Sequence, residues 1–177
     1  MSVELVILLR LIVPFAIFRY PLAGGIIAML LDGADVILVE LFAPIIGGQG
    51  YFGSNYHSLD KWMDVYYLTF LFLVSLRWKD MLARRTSIAL FVFRMFGVAL
   101  FELTGIRKIL FFFPNLFENF VLFILFAKRF APHVLPKTMK QLGSVLFLLY
   151  IPKFGQEYLL HFAQAQPWQW FKQTFLH

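Results

Sequence analysis

The sequence predicts an all-α fold, a polytopic transmembrane helical bundle with about six membrane segments (five to six). Three observations lead there. Of the 177 residues, 60% are hydrophobic and 23 are Phe, whereas only 15% are charged, against roughly 25% in soluble domains. Apolar runs of about 17 to 25 residues recur along the whole chain, the length a helix needs to cross about 30 Å of hydrocarbon. Trp and basic residues gather near the ends of these runs, where interfacial anchors belong.

The segments fall near residues 4–20, 22–46, 61–77, 87–104, 107–128 and 141–163. The first is the weakest. Leu5 to Phe18 spans only about 21 Å as a helix, which also fits a tilted, re-entrant or interfacial course. Arg10 and Pro14 interrupt it and no small-residue cleavage site follows, so a cleaved signal peptide is not expected. Arg19-Tyr20-Pro21 should end it, since the residue before a proline disfavours helix. The second segment carries Gly24, Gly25 and Ala28, small residues through which helices pack closely, and runs into a turn-rich stretch from Gly47 through Asn55. Trp62 and Trp78 bracket the third. Pro44, Pro114 and Pro152 are expected to break their segments, and Trp168 and Trp170 suit a tail lying on the membrane surface. With neither an internal repeat nor a long linker, residues 1–177 read as a single integral membrane domain.

The absence of cysteine excludes disulfides, thiolate metal sites and thiol chemistry. A formal charge of +6 with no recognition motif points to anionic lipid rather than nucleic acid. The expected partner is therefore the lipid bilayer, with a lipid substrate, a second copy of the chain or a larger membrane complex as further partners. Arg19, Arg77, Lys79, Arg84, Arg85, Lys128, Arg129, Lys137 and Lys140 fall on one side of the segments; Lys61, Arg107, Lys108 and Lys172 fall on the other. The positive-inside rule makes the first side cytoplasmic and places both termini outside.

The acids are unusually placed. Of ten, only Glu4 and Asp80 lie clearly at a terminus or in a loop; Asp32, Asp35, Glu40, Asp60, Asp64, Glu102, Glu118 and Glu157 fall within segments or at their ends. An Asp at mid-membrane costs about 2.5–3.5 kcal/mol on insertion scales, so Asp32 and Asp35 must face protein, water or a cation. Arg94 and Lys153 read as ion-paired residues that set helix register. Glu102, Glu118 and Arg94 also stand as candidate site residues, as do Glu157 and His161, whose spacing of four puts them on one helical face, an arrangement that suits a metal. His57 and His133 read as solvated.

The sharpest constellation is Asp32-Gly-Ala-Asp35 followed by Asp60-Lys-Trp-Met-Asp64. Spacings of three and four put each pair on one helical face, and a helical hairpin brings the two pairs together. Four clustered carboxylates require protons or cations. Hard oxygen ligands favour Mg²⁺, Mn²⁺ or Ca²⁺ over zinc.

These carboxylates, D-x2-D then D-x3-D across two consecutive segments, resemble those of the CDP-alcohol phosphotransferases, six-helix membrane enzymes of phospholipid synthesis. Leu8-Leu9-Arg10-Leu11-Ile12 is similar to the Arg-containing opening of that family, and the resemblance covers roughly the first 75 residues. Val36, Val39 and Glu40 stand where the family has Gly, Ala and Arg. The resemblance implies that Asp32, Asp35 and Asp60 hold a divalent metal, Mg²⁺ or Mn²⁺, and that Asp64 is a ligand or the base that activates an alcohol.

Three functions compete. The first is a metal-dependent transferase acting on a phospholipid or related lipid head group. The second is a non-catalytic membrane subunit, supported by Phe-rich stretches such as Phe111-Phe112-Phe113, whose plainest reading is lipid-facing surface. The third is an ion- or proton-coupled transporter, supported by acids at several depths and by proline-broken segments.

Overall fold

The computed structural model describes residues 2–47, 56–106 and 108–159, with the backbone alone at 56–58 and 157. Among these residues every regular element is helical: α1 (Ser2–Ile12), α2 (Ala16–Arg19), α3 (Pro21–Ile46), α4 (Tyr56–Ser75), α5 (Met81–Thr104), α6 (Lys108–Phe112), α7 (Leu116–Phe130) and α8 (Met139–Glu157), with short 3-10 turns at Val13–Phe15 and Pro132–Val134. The chain forms two compact units. One comprises residues 1–88 and 121–135, the other 89–120 and 136–177.

In the first unit, Pro14 sits within the 3-10 turn that separates α1 from α2, so the first sequence segment is a broken helix. Tyr20 leaves helical geometry and Pro21 opens α3, where its missing N–H has no partner to lose. Pro44 and Pro152 do not break their segments as expected; each lies inside a helix. Pro114 does, dividing the fifth segment into α6 and α7.

The 26 residues of α3 extend about 39 Å, and α1, α2 and α4 pack around it. Gly24 permits the closest approach. A Cβ there would stand 2.7 Å from the backbone nitrogen of Ile17 and 2.8 Å from the carbonyl carbon of Ala16. Gly25, Ala28 and Val39 continue the buried stripe of α3, and Val6, Ile17, Leu68, Leu71, Val121, Ile124 and Ala127 complete the core of this unit. The turn after α4 is locked to α5 by the buried Ser87 hydroxyl donating to Ser75 Oγ at 2.8 Å.

The second unit is built on Phe. Phe113 packs against Phe93 and Phe96, and its ring lies over Gly97 where no side chain would fit; Phe117 meets Phe91 edge-on, and Phe111 contacts Phe154 of α8. Gly105, at φ 69°, ends α5, a backbone conformation that only glycine adopts without strain. A reciprocal Thr138–Gln141 capping box starts α8.

Among the described residues one helix, Met81–Thr104, with a mean hydropathy of 1.7 over its most apolar stretch, is both long and apolar enough to cross a membrane. By contrast, α7 has 15 residues and α4 opens on Asp60, Lys61 and Asp64.

Gly24→Ala should destabilise the protein by about 1–3 kcal/mol, since the added methyl meets backbone that cannot rotate away. Gly25→Ala meets only the ends of Leu122 and Leu71; the helix propensity it gains, about 0.5–1 kcal/mol, should offset most of that crowding. Thermal unfolding of the two variants side by side in detergent checks the order.

Candidate functional site

Arg10 occupies the last turn of α1, where the helix dipole favours a cation. Its side chain is 6% exposed and lies between α3 and α4. One terminal nitrogen, Nη1, donates to Asp35 Oδ2 and, at 3.3 Å, to Asp60 Oδ1; the other, Nη2, donates to Asp32 Oδ1 and, at 3.3 Å, to the same Asp60 oxygen. A guanidinium is planar and presents its donors in a rigid fork. Three carboxylates from two helices are therefore gathered by one side chain from a third.

Each acid is delivered by helical spacing. Asp32 and Asp35 face the same way on α3 because they are three residues apart, and Asp60 and Asp64 do so on α4 because they are four apart. Asp35 and Asp64 are buried, while Asp32 and Asp60 keep 26% and 20% of their side-chain surface exposed. Asp35 Oδ1 also accepts from the Val36 backbone N–H at 2.6 Å. Asp64 lies close enough to Asp32 for the two carboxylates to repel each other, and Lys61, 3.2 Å from Asp60 Oδ2, acts on the same cluster from its outer side. Beside Arg10, the Tyr66 hydroxyl donates to the Leu11 carbonyl at 3.1 Å, tying α4 to α1.

The two Asp pairs thus belong to one cluster. Arg10 and Lys61 bring positive charge to it, and carboxylates gathered in this way take up protons or cations. The oxygens converge on the guanidinium rather than on a common point. No group of three or more Asp, Glu, His or Cys among the described residues is arranged to hold a metal directly. As a donor set, hard carboxylate oxygens suit Mg²⁺ or Mn²⁺, provided Arg10 withdraws. Arg10 is the residue that the spacing of the acids does not reveal. Its sequence signals are its place inside an apolar run and the likeness of Leu8-Leu9-Arg10-Leu11-Ile12 to an Arg-containing family opening.

Of the remaining candidates, Arg94, Glu102, Glu118 and Lys153 belong to the second unit. In the second unit Pro114 interrupts the helical ladder, and the Phe113 carbonyl at the break accepts from Arg94 Nη1 at 3.0 Å. Asn115 Oδ1 accepts from the Glu118 backbone N–H at 3.4 Å while Asn115 Nδ2 donates to Glu118 Oε2 at 2.6 Å, a reciprocal cap on α7. These contacts give Arg94 and Glu118 structural work. Lys153 donates to Gln156 Oε1 at 3.2 Å, Glu102 is exposed near the end of α5, and His133 is exposed in its 3-10 turn. The side chain of Glu157, and the whole of His161, Trp168 and Trp170, lie outside the described residues.

No protein-family model, no curated protein and no solved structure matches the chain.

Removing the Arg10 side chain leaves carboxylates crowded together without their shared donor, so Arg10→Gln should cost about 3 kcal/mol of stability. Arg10→Lys keeps the charge but offers one ammonium where a fork bridged several oxygens, and should fall between the two. Adding Asp35→Asn to Arg10→Gln should recover part of the loss, with a coupling energy above about 1 kcal/mol in a double-mutant cycle. Denaturant or thermal melts measure all three.

Proposed function

We propose that this chain is a multi-pass membrane protein in which Asp32, Asp35, Asp60 and Asp64 form a divalent-cation site, and that it is a transferase acting on a phosphate-bearing lipid head group. The observation that carries this reading is the meeting of the D-x2-D pair of α3 and the D-x3-D pair of α4 around one arginine. A bound Mg²⁺ or Mn²⁺ would supply charge neutralisation for the oxygens of a phosphoryl displacement. Asp32, Asp35 and Asp60 would hold it, with Asp64 as a further ligand or as the base that takes an alcohol proton.

Arg10 has a defined part in this reading. Its fork matches phosphate oxygens as well as it matches carboxylates, so the guanidinium exchanges its Asp partners for the head-group phosphate when a cation takes its place among the acids. Glu40, one helical turn beyond Val36, repels a nucleotide diphosphate, which favours a simple phosphate-bearing head group over a CDP-linked one. The membrane part of the proposal is supported by the outward apolar faces: Leu41 and Ile45 on α3, Val92, Phe96 and Leu103 on α5, and Phe147, Leu148 and Ile151 on α8 are all exposed. Large apolar side chains exposed in such number along helices suit a lipid surround.

A second reading has its own observation. The guanidinium already engages three carboxylates, so the cluster also suits a permanent ionic staple in a non-catalytic membrane subunit. Thermal unfolding of detergent-purified protein with EDTA, Mg²⁺ or Mn²⁺ separates the two, because binding to the folded state raises the midpoint. The cation-site reading expects a saturable rise in wild type, lost in Asp60→Asn and Asp64→Asn and enlarged in Arg10→Gln, where the competing cation is gone. A staple predicts no metal response in any of the four proteins and a lower midpoint in Arg10→Gln alone or most strongly.

A further inference from the structure

The end of the first unit opposite the acidic cluster carries a second charged surface, of the other sign. Asp32 lies 11 residues beyond Pro21 at the start of α3, and Asp64 lies 11 residues before Ser75 at the end of α4; each is therefore about 16 Å along its helix from that end. Three elements meet there. The turn after α4 holds Arg77, Trp78 and Lys79, α5 begins with Arg84 and Arg85 in its first two turns, and α7 ends in Lys128 and Arg129. Contacts within the unit hold them together: Lys128 Nζ stands 4.2 Å from the centre of the Trp78 ring, and the Arg77 guanidinium lies 5.9 Å from that of Phe18 on α2. Lys79, Arg77, Arg85, Lys128 and Arg129 are exposed, whereas Trp78 is buried beneath Lys128.

Helix dipoles explain only part of this charge. Arg77, Lys128 and Arg129 complement the negative C-terminal ends of α4 and α7. Lys79, Arg84 and Arg85 surround the positive N-terminal end of α5, against its dipole. Asp80 caps that helix, its Oδ1 accepting from the Ala83 N–H at 3.1 Å, and also acts on Lys128. One carboxylate set against these six Lys and Arg side chains leaves a surface that attracts anions.

We infer that this surface binds the phosphates of anionic phospholipids, with the basic side chains reaching into one leaflet. The inference rests on the multi-pass membrane reading, because α5, the helix long and apolar enough to cross a membrane, starts at this surface. A row of Lys and Arg beside an apolar helix end is the arrangement that anionic leaflets attract.

The test uses the full chain in nanodiscs of phosphatidylcholine alone and of phosphatidylcholine with phosphatidylglycerol, comparing wild type with Arg84→Gln/Arg85→Gln, with the charge-preserving Arg84→Lys/Arg85→Lys, and with Lys128→Gln. Wild type should unfold at a higher temperature in the anionic discs, and spin-labelled phosphatidylglycerol should associate with it several-fold more than spin-labelled phosphatidylcholine. That preference should shrink in high salt and in both Gln variants, by up to about fivefold for each cation removed, and persist in the Lys pair. Equal behaviour in the two lipids, or a preference that survives the Gln substitutions, overturns the inference and leaves the membrane reading standing. Failure of the protein to enter nanodiscs, together with its release from membranes by alkaline carbonate, overturns the membrane reading and this inference with it.

Discussion

The guanidinium of Arg10 holds α1, α3 and α4 in a single arrangement because a carboxylate withdrawn from water must meet positive charge or give up its own. Asp32, Asp35 and Asp60 approach from different directions, and only a group with several donors in a fixed plane can satisfy all three. The rest of the first unit serves that meeting. Gly24 brings α3 against the backbone of α2, Tyr66 ties α4 to the end of α1, and the Ser75–Ser87 contact fixes where α4 stops and α5 starts.

Packing and charge are consequently one problem in this part of the molecule. Rotating α3 by a single residue, about 100°, would carry Asp32 and Asp35 away from Arg10 and lift Gly24 out of the close contact at the same time. The small residues and the acids lie on compatible faces of one helix, so steric fit and electrostatics select the same register. Agreement between independent constraints of this kind is what gives a sequence one fold rather than several.

The second unit solves a different problem with similar means. Pro114 breaks the helix, and the polar groups released there are taken up locally: Arg94 donates to the freed carbonyl, and Asn115 with Glu118 caps the next helix. Polar side chains inside an apolar segment thus have two distinct uses in this protein. Around Arg10 they accumulate charge beyond what one arginine neutralises. Around Pro114 they repair a backbone.

By itself the sequence determined the helical class, most helix locations, the grouping of Asp32 with Asp35 and of Asp60 with Asp64, and the use of Gly24 and Gly25 as contact points, because helical periodicity and side-chain size are local properties. The proline effects were only partly legible: Pro44 and Pro152 remain inside helices and Pro114 does not, a choice made by the surroundings that can or cannot absorb a lost N–H. Tertiary structure alone decided that Arg10 would be the partner of the acids and that residues from the turn after α4, from α5 and from α7 would join in one basic surface. Those outcomes depend on contacts between residues far apart in the chain, Arg10 with Asp60 and Arg77 with Phe18 among them. Their energies arise from three-dimensional proximity in a poorly screened interior, which no local pattern of residues encodes.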